Sequence, residues 1–327
     1  MGTLFENTFL ALRQAGLEVR RDEPLARHCT WRIGGPAALL VEPRSAAELA
    51  AALRLEKTIG IPVVVIGRGS NCLFDDAGIA GLVIKIGPAL AAWQIAGDRI
   101  TAEAGTVPWR LARAAGRAGL AGLQHIVGIP GTMGGLVAMN GGSLRQNIGD
   151  VIEWVEAIDR DSGELVRLAT ADCDFSYRHS RFLTPDNRLI VLRCGLRLPP
   201  GDPAALRTEM LAILRERRSK FPLKSPNAGS VFKSTAGLYE LHGPPGRVVE
   251  SLGLKGTQIG GARISERHAN FIVNTGNASS ADVLALVALV RRQAADRFGM
   301  PPETEALYVS PAGETMPLAA ACSRERQ

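Results

Sequence analysis

The sequence lacks the features that mark membrane, secreted or nucleic-acid-binding proteins. No apolar run in its 327 residues reaches the ~18 that would span a bilayer. The opening stretch MGTLFENTFLALRQ has no basic segment followed by an apolar core and a cleavage site, so no signal peptide is expected. The basic residues form no block with interleaved aromatics, which argues against nucleic acid. These absences predict a cytoplasmic protein with no membrane or nucleic-acid partner.

Cysteine is scarce, and the five that occur are scattered. No two of them form a C-x-x-C pair, so neither a disulfide framework nor a metal site is expected; they are Cys29, Cys72, Cys173, Cys194 and Cys322. The charge balance is mild, because 38 basic and 32 acidic residues give +6. That excess suits plain solubility or attraction to a phosphorylated ligand equally well. The 46% of hydrophobic residues in a chain of this length predicts two or three domains.

Helix and strand patterns alternate over the first 200 residues. Ser45 followed by Glu48 is a capping-box pattern at the start of a helix. The β-branched runs IPVVVIG, LVIKIG, RITAEAG and NRLIVLRCGLRL are typical of buried strands, and VPWRLARAAGRAGL is typical of a helix. Asp161-Ser162-Gly163 predicts the turn of a β-hairpin.

The pattern changes after Pro199-Pro200-Gly201, where we place a domain boundary near residue 200. Asp202 can cap the next helix, with Pro203 in its first turn. A late helix ends at Gly299 and is expected to bury one face, formed by Val283, Leu286, Val287, Val290 and Phe298. ETEALYVS reads as the final strand, and the tail GETMPLAAACSRERQ shows no period and is expected to be loosely ordered.

The first of two glycine-rich loops lies in VVVIGRGSNCLF. Gly67 and Gly69 permit close backbone approach, and Ser70 and Asn71 add hydrogen-bonding groups. Such a turn can hold a pyrophosphate or be a plain structural turn. A Rossmann fingerprint would need a third glycine and then a helix, but Cys72 and a strand follow, so a Rossmann fold is excluded.

The second glycine-rich loop is HIVGIPGTMGGLVAMNGG, residues 125–142. Its six glycines favour a ligand lying against the main chain, with Thr132 and Asn140 able to hydrogen-bond it. The alternative is a chain that crosses close beneath another strand. Two such loops suggest one long ligand held at two points, and a dinucleotide such as FAD has that length.

Seven motifs in order carry a resemblance to a known family: TWRIGGPA, VIGRGSNCLF, GIPGTMGG, SYRHSRF, NAGSVFKS, GGARISERHANFIVN and ETEALYV. Together they resemble the UDP-N-acetylenolpyruvoylglucosamine reductase (UDP-N-acetylmuramate dehydrogenase) family over roughly residues 25–310. SYRHSRF runs almost directly into the next strand, as in the compact subclass without an inserted tyrosine loop. The resemblance implies an α+β fold, with a two-lobed FAD-binding domain of the vanillyl-alcohol-oxidase/para-cresol-methylhydroxylase type and a C-terminal α+β substrate-binding domain. The expected boundaries are 1–90 and 91–200 for the lobes, 201–315 for the substrate domain and 316–327 for a tail.

The family reaction implies non-covalent FAD, NADPH as hydride donor and a UDP-sugar substrate in peptidoglycan precursor synthesis. A monomer is expected. The residues implied to bind the cofactor are Gly67, Arg68, Gly69, Ser70, Asn71, Gly128, Ile129, Pro130, Gly131, Thr132, Gly135 and Asn140.

Three residues match the family's catalytic positions. Ser230 matches the proton donor, since a well-placed weak acid can protonate a strongly basic carbon. Arg178 matches the arginine that offsets charge developing in an enolate, with Arg181 as a local competitor. Glu305, at the start of the last predicted strand, matches the third position, with Glu303 as its neighbour. Without the resemblance, each would be read as a cap, an ion-pair partner or a solvated carboxylate.

The substrate-binding residues implied are Tyr177, Lys233, His268 and Asn270, with Lys255 a weaker candidate. A lone histidine is as often structural, so both readings of His268 stay open. The chain departs from the family pattern at Ser234, at Ser143-Leu144 and at Gln124. These departures motivate an alternative, a paralogous flavin reductase with a different enol-ether or nucleotide-sugar substrate. A flavin-binding protein without turnover and an alcohol oxidase of the same fold are further rivals.

Overall fold

The computed structural model describes residues 2–184 and 186–324. The helices in these ranges are α1 (Gly2–Gln14), α2 (Ala46–Ile59), α3 (Pro108–Arg117), α4 (Met133–Ala138), α5 (Pro203–Lys220), α6 (Ala236–His242), α7 (Pro245–Ser251), α8 (Ser280–Phe298) and α9 (Leu318–Arg324). The strands are β1 (Val19–Pro24), β2 (Pro36–Val41), β3 (Val63–Ile66), β4 (Cys72–Phe74), β5 (Ile79–Lys85), β6 (Trp93–Ala96), β7 (Arg99–Glu103), β8 (Gly142–Ser143), β9 (Gln146–Asn147), β10 (Ile152–Asp159), β11 (Leu165–Ala169), β12 (Leu189–Arg197), β13 (Gln258–Ile259), β14 (Ala262–Ile264), β15 (Ile272–Asn274), β16 (Leu307–Val309) and β17 (Thr315–Pro317). Among the residues so described, no helix has both the length and the apolar content needed to cross a bilayer.

The chain forms two compact units. Unit 1 is Met1–Arg21, Leu39–Arg68 and Leu82–Arg217, and unit 2 is Asp22–Ala38, Gly69–Gly81 and Arg218–Gln327. The chain passes between them within β1, β2 and β5 and between Arg68 and Gly69, and it leaves unit 1 for the last time in the final turn of α5. The division into two FAD-binding lobes, a substrate domain and a tail, with boundaries at 90, 200 and 315, stays a prediction.

The larger sheet of unit 1 is antiparallel, in the order β11-β10-β12-β7-β6. Leu196 of β12 is buried, as the run NRLIVLRCGLRL predicted, and so are Val155 and Ala157 of β10. The hairpin β10–β11 is confirmed, with Gly163 at φ +72° in its turn and Asp159 N donating to Glu164 O at 2.9 Å. A second sheet has the order β1-β2-β5-β3, in which β3 and β5 are parallel.

Side-chain caps stabilise the starts of α2 and α5, and α3 buries one face. Ser45 caps α2 by accepting from Glu48 N at 3.1 Å, while the Glu48 carboxylate accepts from Arg44 N at 2.8 Å. Helix α3 buries Leu111, Ala112 and Ala115 and turns its arginines outward. Asp202 accepts from Ala205 N at 2.9 Å at the start of α5.

Unit 2 contains the antiparallel sheet β13-β14-β15 and the sheet β17-β16-β4, in which β16 is parallel to β4. Helix α8 begins with a capping box between Ser279 and Asp282 and ends at Gly299 in the left-handed conformation. Its predicted inner face is buried except for Phe298, which is half-buried and lies 4.3 Å from the His242 ring between centroids.

The expectation of a loosely ordered tail was wrong for the described residues 315–324. Strand β17 pairs with β16, and α9 follows it directly. Leu318, Ala321 and Cys322 of α9 are buried. The short apolar stretch PLAAAC is too brief to show a helical period, but burying these three side chains stabilises it.

Candidate active site

The two predicted glycine-rich loops meet in unit 1. Strand β3 ends at Ile66, and Gly67 follows with its main chain against Thr132. A Cβ at Gly67 would lie 2.5 Å from Thr132 Oγ1, which is well inside van der Waals contact. A glycine is therefore required at position 67 for the two loops to approach this closely.

The second loop presents bare main chain on its outer side. Thr132 caps α4 by accepting from Gly135 N at 3.4 Å. A Cβ at Gly134 would meet Ala104 Cβ at 2.8 Å, so this glycine faces inward. Gly135 is exposed, and the nearest atom to a Cβ there would be Thr132 Oγ1 at 3.7 Å. A flat group can lie on this surface without meeting a side chain at position 135.

Arg217 also belongs to this region, and the sequence analysis missed it. Its Cδ and Nε would lie 2.4 Å from a Cβ at Gly128, so the arginine packs directly on that glycine. Burial lowers the pKa of the Arg217 guanidinium. In the sequence, Arg217 is one of several basic residues in α5, and only the packing of α5 distinguishes it.

The rest of the first loop lies in unit 2. Gly69 has φ +57°, and a Cβ there would lie 2.5 Å from His28 O. Asn71 Nδ2 donates to Glu305 O at 3.0 Å, and Leu307 N donates to Asn71 O at 2.9 Å. The loop leads into β4 and not into a helix, as the exclusion of a Rossmann fold required. Arg68, at the end of unit 1, is exposed.

The segment that carries Ser230 is held on one side by the buried side-chain amide of Asn270. Asn270 Oδ1 accepts from Phe232 N at 2.9 Å, and its Nδ2 donates to Phe232 O at 3.0 Å. Val231 N donates to Asn270 O at 2.9 Å. Gly229, at φ +80°, supplies the left-handed turn that leads into the half-buried Ser230. Asn270 was predicted to bind substrate; in unit 2 its side chain supports the serine segment.

Glu305 lies beside this segment in the same unit. Its N–H donates to Val231 O at 2.7 Å, while Lys233 N donates to Glu303 O at 2.9 Å. Glu305 is half-buried and Glu303 is exposed, which distinguishes the two candidate carboxylates. The prediction that Glu305 begins the final strand was wrong. Its N–H bonds to the serine segment, β16 starts two residues later, and β17 follows.

Arg178 lies in a tight turn in unit 1. Ser176 and His179 exchange two backbone hydrogen bonds of 3.1 Å, and Arg178 between them has φ +54°. Its Nη2 donates to Gly142 O at 3.0 Å. Asn140 Nδ2 donates to Ser176 O at 2.8 Å, so the second glycine-rich loop supports the arginine turn.

The competing basic and aromatic candidates have other partners. Arg181 is exposed and donates to Asp172 O at 2.8 Å, and Lys255 pairs with Glu250 at 2.8 Å. The His268 ring packs against two phenylalanine rings, with its centroid 5.3 Å from that of Phe221. Burial lowers the pKa of His268. These contacts favour a structural role for His268. Tyr177 is exposed, and its role in binding substrate stays a prediction.

Comparison with known proteins identifies the family. The family profile described as "UDP-N-acetylenolpyruvoylglucosamine reductase, C-terminal domain" matches residues 221–309, and the one described as "FAD binding domain" matches 37–169. UDP-N-acetylenolpyruvoylglucosamine reductase 1 of Corynebacterium glutamicum is 44% identical over 287 residues, covering 88% of this chain and 85% of that protein. The chain belongs to the UDP-N-acetylenolpyruvoylglucosamine reductase family. The reductase of Heliobacterium modesticaldum is 43% identical, with 90% of this chain and 91% of that protein covered. The solved structure of the Thermus caldophilus reductase matches this chain with a TM-score of 0.73 and 32% sequence identity. The match covers 89% of this chain and 98% of the Thermus caldophilus chain.

Family membership confirms the predicted resemblance, the α+β fold with an FAD-binding domain, and FAD as cofactor. The chain is an FAD-dependent oxidoreductase of the UDP-N-acetylenolpyruvoylglucosamine reductase family. The structure fits the flavin, because Gly67 brings the two loops together and Gly135 leaves a bare surface beside them.

Proposed function

We propose that the protein reduces the enolpyruvyl group of UDP-N-acetylglucosamine enolpyruvate to UDP-N-acetylmuramate, with NADPH as hydride donor. The observation that carries this proposal is that the segments holding Ser230 and Glu305 adjoin in unit 2, where Glu305 N donates to Val231 O at 2.7 Å. A half-buried hydroxyl on a fixed loop, with a half-buried carboxylate on the adjoining segment, is an arrangement that can move a proton. A protein that merely binds flavin would not need it.

FAD, held by the two glycine-rich loops, would supply the hydride-transfer chemistry between NADPH and the enolpyruvyl ether. The protein's part is to handle the charge and the proton. The Ser230 hydroxyl delivers a proton to C2, and Glu305 assists as the neighbouring acid. The Arg178 guanidinium holds the substrate carboxylate and offsets the negative charge that grows in the enolate.

The flavin is held by the two glycine-rich loops, within residues 67–71 and 128–140. Gly67, Thr132 and Gly135, which lie together in unit 1, would support it there. Arg217, lying on Gly128, adds a cation to the same loop. Lys233 is proposed to meet the substrate diphosphate, since it follows Ser230 on the held segment. The protein is further proposed to act as a monomer in the cytoplasm.

Anaerobic stopped-flow absorbance tests the proposal. The flavoprotein is reduced with NADPH, mixed with UDP-N-acetylglucosamine enolpyruvate, and followed at the oxidised flavin band. Rapid reoxidation is expected. Reduction without reoxidation would instead favour the paralogous reductase, and the departures at Ser143 and Ser234 would then be the first positions to revert.

Ser230→Ala separates the two half-reactions. NADPH should still reduce the flavin, while reoxidation by the enolpyruvyl substrate slows by about 10²-fold or more, the usual contribution of a positioned proton donor. Ser251→Ala is the matched control, because its hydroxyl donates to Val248 O in α7. Equal loss of both half-reactions in Ser230→Ala would rule out the proton-donor role.

A further inference from the structure

The residue that follows the carbonyl anchoring Arg178 is contacted by a histidine. Arg178 Nη2 donates to Gly142 O at 3.0 Å, and the next residue along β8 is Ser143. Ser143 Oγ donates to His125 O at 2.5 Å, and Ser143 N approaches His125 Nδ1 at 3.4 Å. These residues all lie in unit 1. Two contacts from one histidine therefore fix the peptide beside the arginine's anchor.

His125 is suited to this task because it is buried and neutral. Its side chain lies in the second glycine-rich loop and is about 1% exposed. Burial lowers its pKa to about 4; the Asp150 charge opposes this shift, and the Arg178 charge acts more weakly in the same direction as burial. Near neutral pH, Nδ1 is then an acceptor for Ser143 N, with the ring proton on Nε2.

The turn between β8 and β9 adds a reason for such support. Leu144 and Arg145 both have positive φ, at +55° and +62°. Side chains at both positions crowd the following carbonyl oxygen, so the two residues are strained. A strained turn stays in place only when its neighbours hold it, and Ser143 is the residue at its base.

We propose that His125 is a positioning residue for Arg178, acting through Ser143 and the Gly142 carbonyl. This proposal rests on the function proposed above, because it gives Arg178 the substrate carboxylate as its target. Ser143, a departure from the family pattern, then has a structural purpose. Its hydroxyl supplies one of the two contacts to His125.

Three variants in stopped-flow test the link. His125→Leu removes the acceptor at Nδ1, His125→Asn offers an amide oxygen in its place, and Ser143→Ala removes the hydroxyl contact. We expect His125→Leu to slow reoxidation by the enolpyruvyl substrate about tenfold, and Ser143→Ala about threefold. His125→Asn should restore most of the rate. The rate of flavin reduction by NADPH is the internal reference in each protein.

The deciding measurement repeats His125→Leu in an Arg178→Ala background. If His125 acts through Arg178, the second substitution should cause no further loss. A further tenfold loss, or equal rates for His125→Leu and His125→Asn, would overturn the positioning role. Should His125→Leu fail to fold, Ser143→Ala in the same background gives the answer. If Arg178→Ala alone leaves reoxidation unchanged, the assignment of Arg178 in the proposed function is what fails.

Discussion

At the scale of single residues, Asn270 shows how a side chain can take the place of a neighbouring strand. Its amide pairs with both the N–H and the C=O of Phe232, as a backbone peptide would in a ladder. The serine segment is thereby fixed without a continuous strand on that side. Fixed geometry matters here, because a hydroxyl is a weak acid and transfers its proton only from a well-defined position.

Replacing Asn270 by leucine should therefore affect both stability and rate. Two buried backbone groups of Phe232 lose their partners, at roughly 1–3 kcal/mol each. We expect the free energy of unfolding in denaturant to fall by about 2–6 kcal/mol. In protein that remains folded, reoxidation by the enolpyruvyl substrate should slow, while flavin reduction does not. The exposed Asn277 is the control, since Asn277→Leu should change stability by at most about 0.5 kcal/mol.

Gly229 permits a second test of how Ser230 is positioned. Its φ is +80°, and no atom lies within 4 Å of a Cβ built there, so alanine would introduce only conformational strain. Gly253, at φ +71° and equally open, is a matched position away from the serine. Both alanine variants should lose roughly 1–2 kcal/mol of stability. Only Gly229→Ala should slow reoxidation, and equal rates in the two would show that Gly229 has no part in placing Ser230.

At the scale of elements, the sequence predicted well wherever a local signal sets a boundary. Ser45, Asp202 and Gly299 lie at the predicted helix ends, because capping involves only residues within one turn. The β10–β11 hairpin was predicted for the same reason, since its turn needs a glycine at positive φ. In these places the chemistry of a few neighbouring residues decides the structure.

Elements that depend on distant partners were not predictable in this way. Helix α9 has no local period and is stabilised by burying Leu318, Ala321 and Cys322. Arg217 lies on Gly128 only because α5 packs there. Glu305 bonds to Val231 instead of joining a strand, which requires the serine segment to lie alongside. The candidate catalytic residues came from their resemblance to the family, and their roles stay predictions.

The cap of α8 should make the stability of the protein depend on pH. Asp282 accepts from the backbone of Ser279 and Gly261, each at 3.0 Å, and these bonds lower its pKa below the ordinary 3.8. A lowered folded pKa means that the charged form contributes stability above the unfolded pKa. That contribution is lost as the pH falls through the folded value.

Asp282→Asn should therefore reduce the free energy of unfolding by about 1 kcal/mol at pH 7. The difference in unfolding free energy between this variant and the wild type should narrow as the pH falls below 3.8. Denaturant unfolding of both proteins at a series of pH values measures this difference. Asp296→Asn, at an exposed position in the same helix, should show little effect at either pH. A gap that stayed constant with pH would mean that the charge of Asp282 does not contribute to the cap.

At the scale of the whole molecule, the flavin links stability to function. A ligand that binds only the folded protein raises its stability by about 2.7 kcal/mol at one hundred times its dissociation constant. The glycines of the second loop differ in what a methyl group would do to this linkage. At Gly134 it would meet Ala104 Cβ at 2.8 Å inside unit 1, whereas at the exposed Gly135 it would project onto the bare surface assigned to the flavin.

Gly135→Ala should therefore change the two forms of the protein in opposite directions. Without FAD, its unfolding midpoint should equal or exceed that of the wild type, since alanine is favoured over glycine in a helix by up to about 1 kcal/mol. With FAD, most of the ligand-dependent increase in the midpoint should disappear. Gly134→Ala should instead lower the midpoint of the apoprotein, because its methyl group is forced into the packed interior. If Gly135→Ala retained the full increase with FAD, the flavin would have to lie away from Gly135, and the proposed cofactor surface would be wrong at its centre.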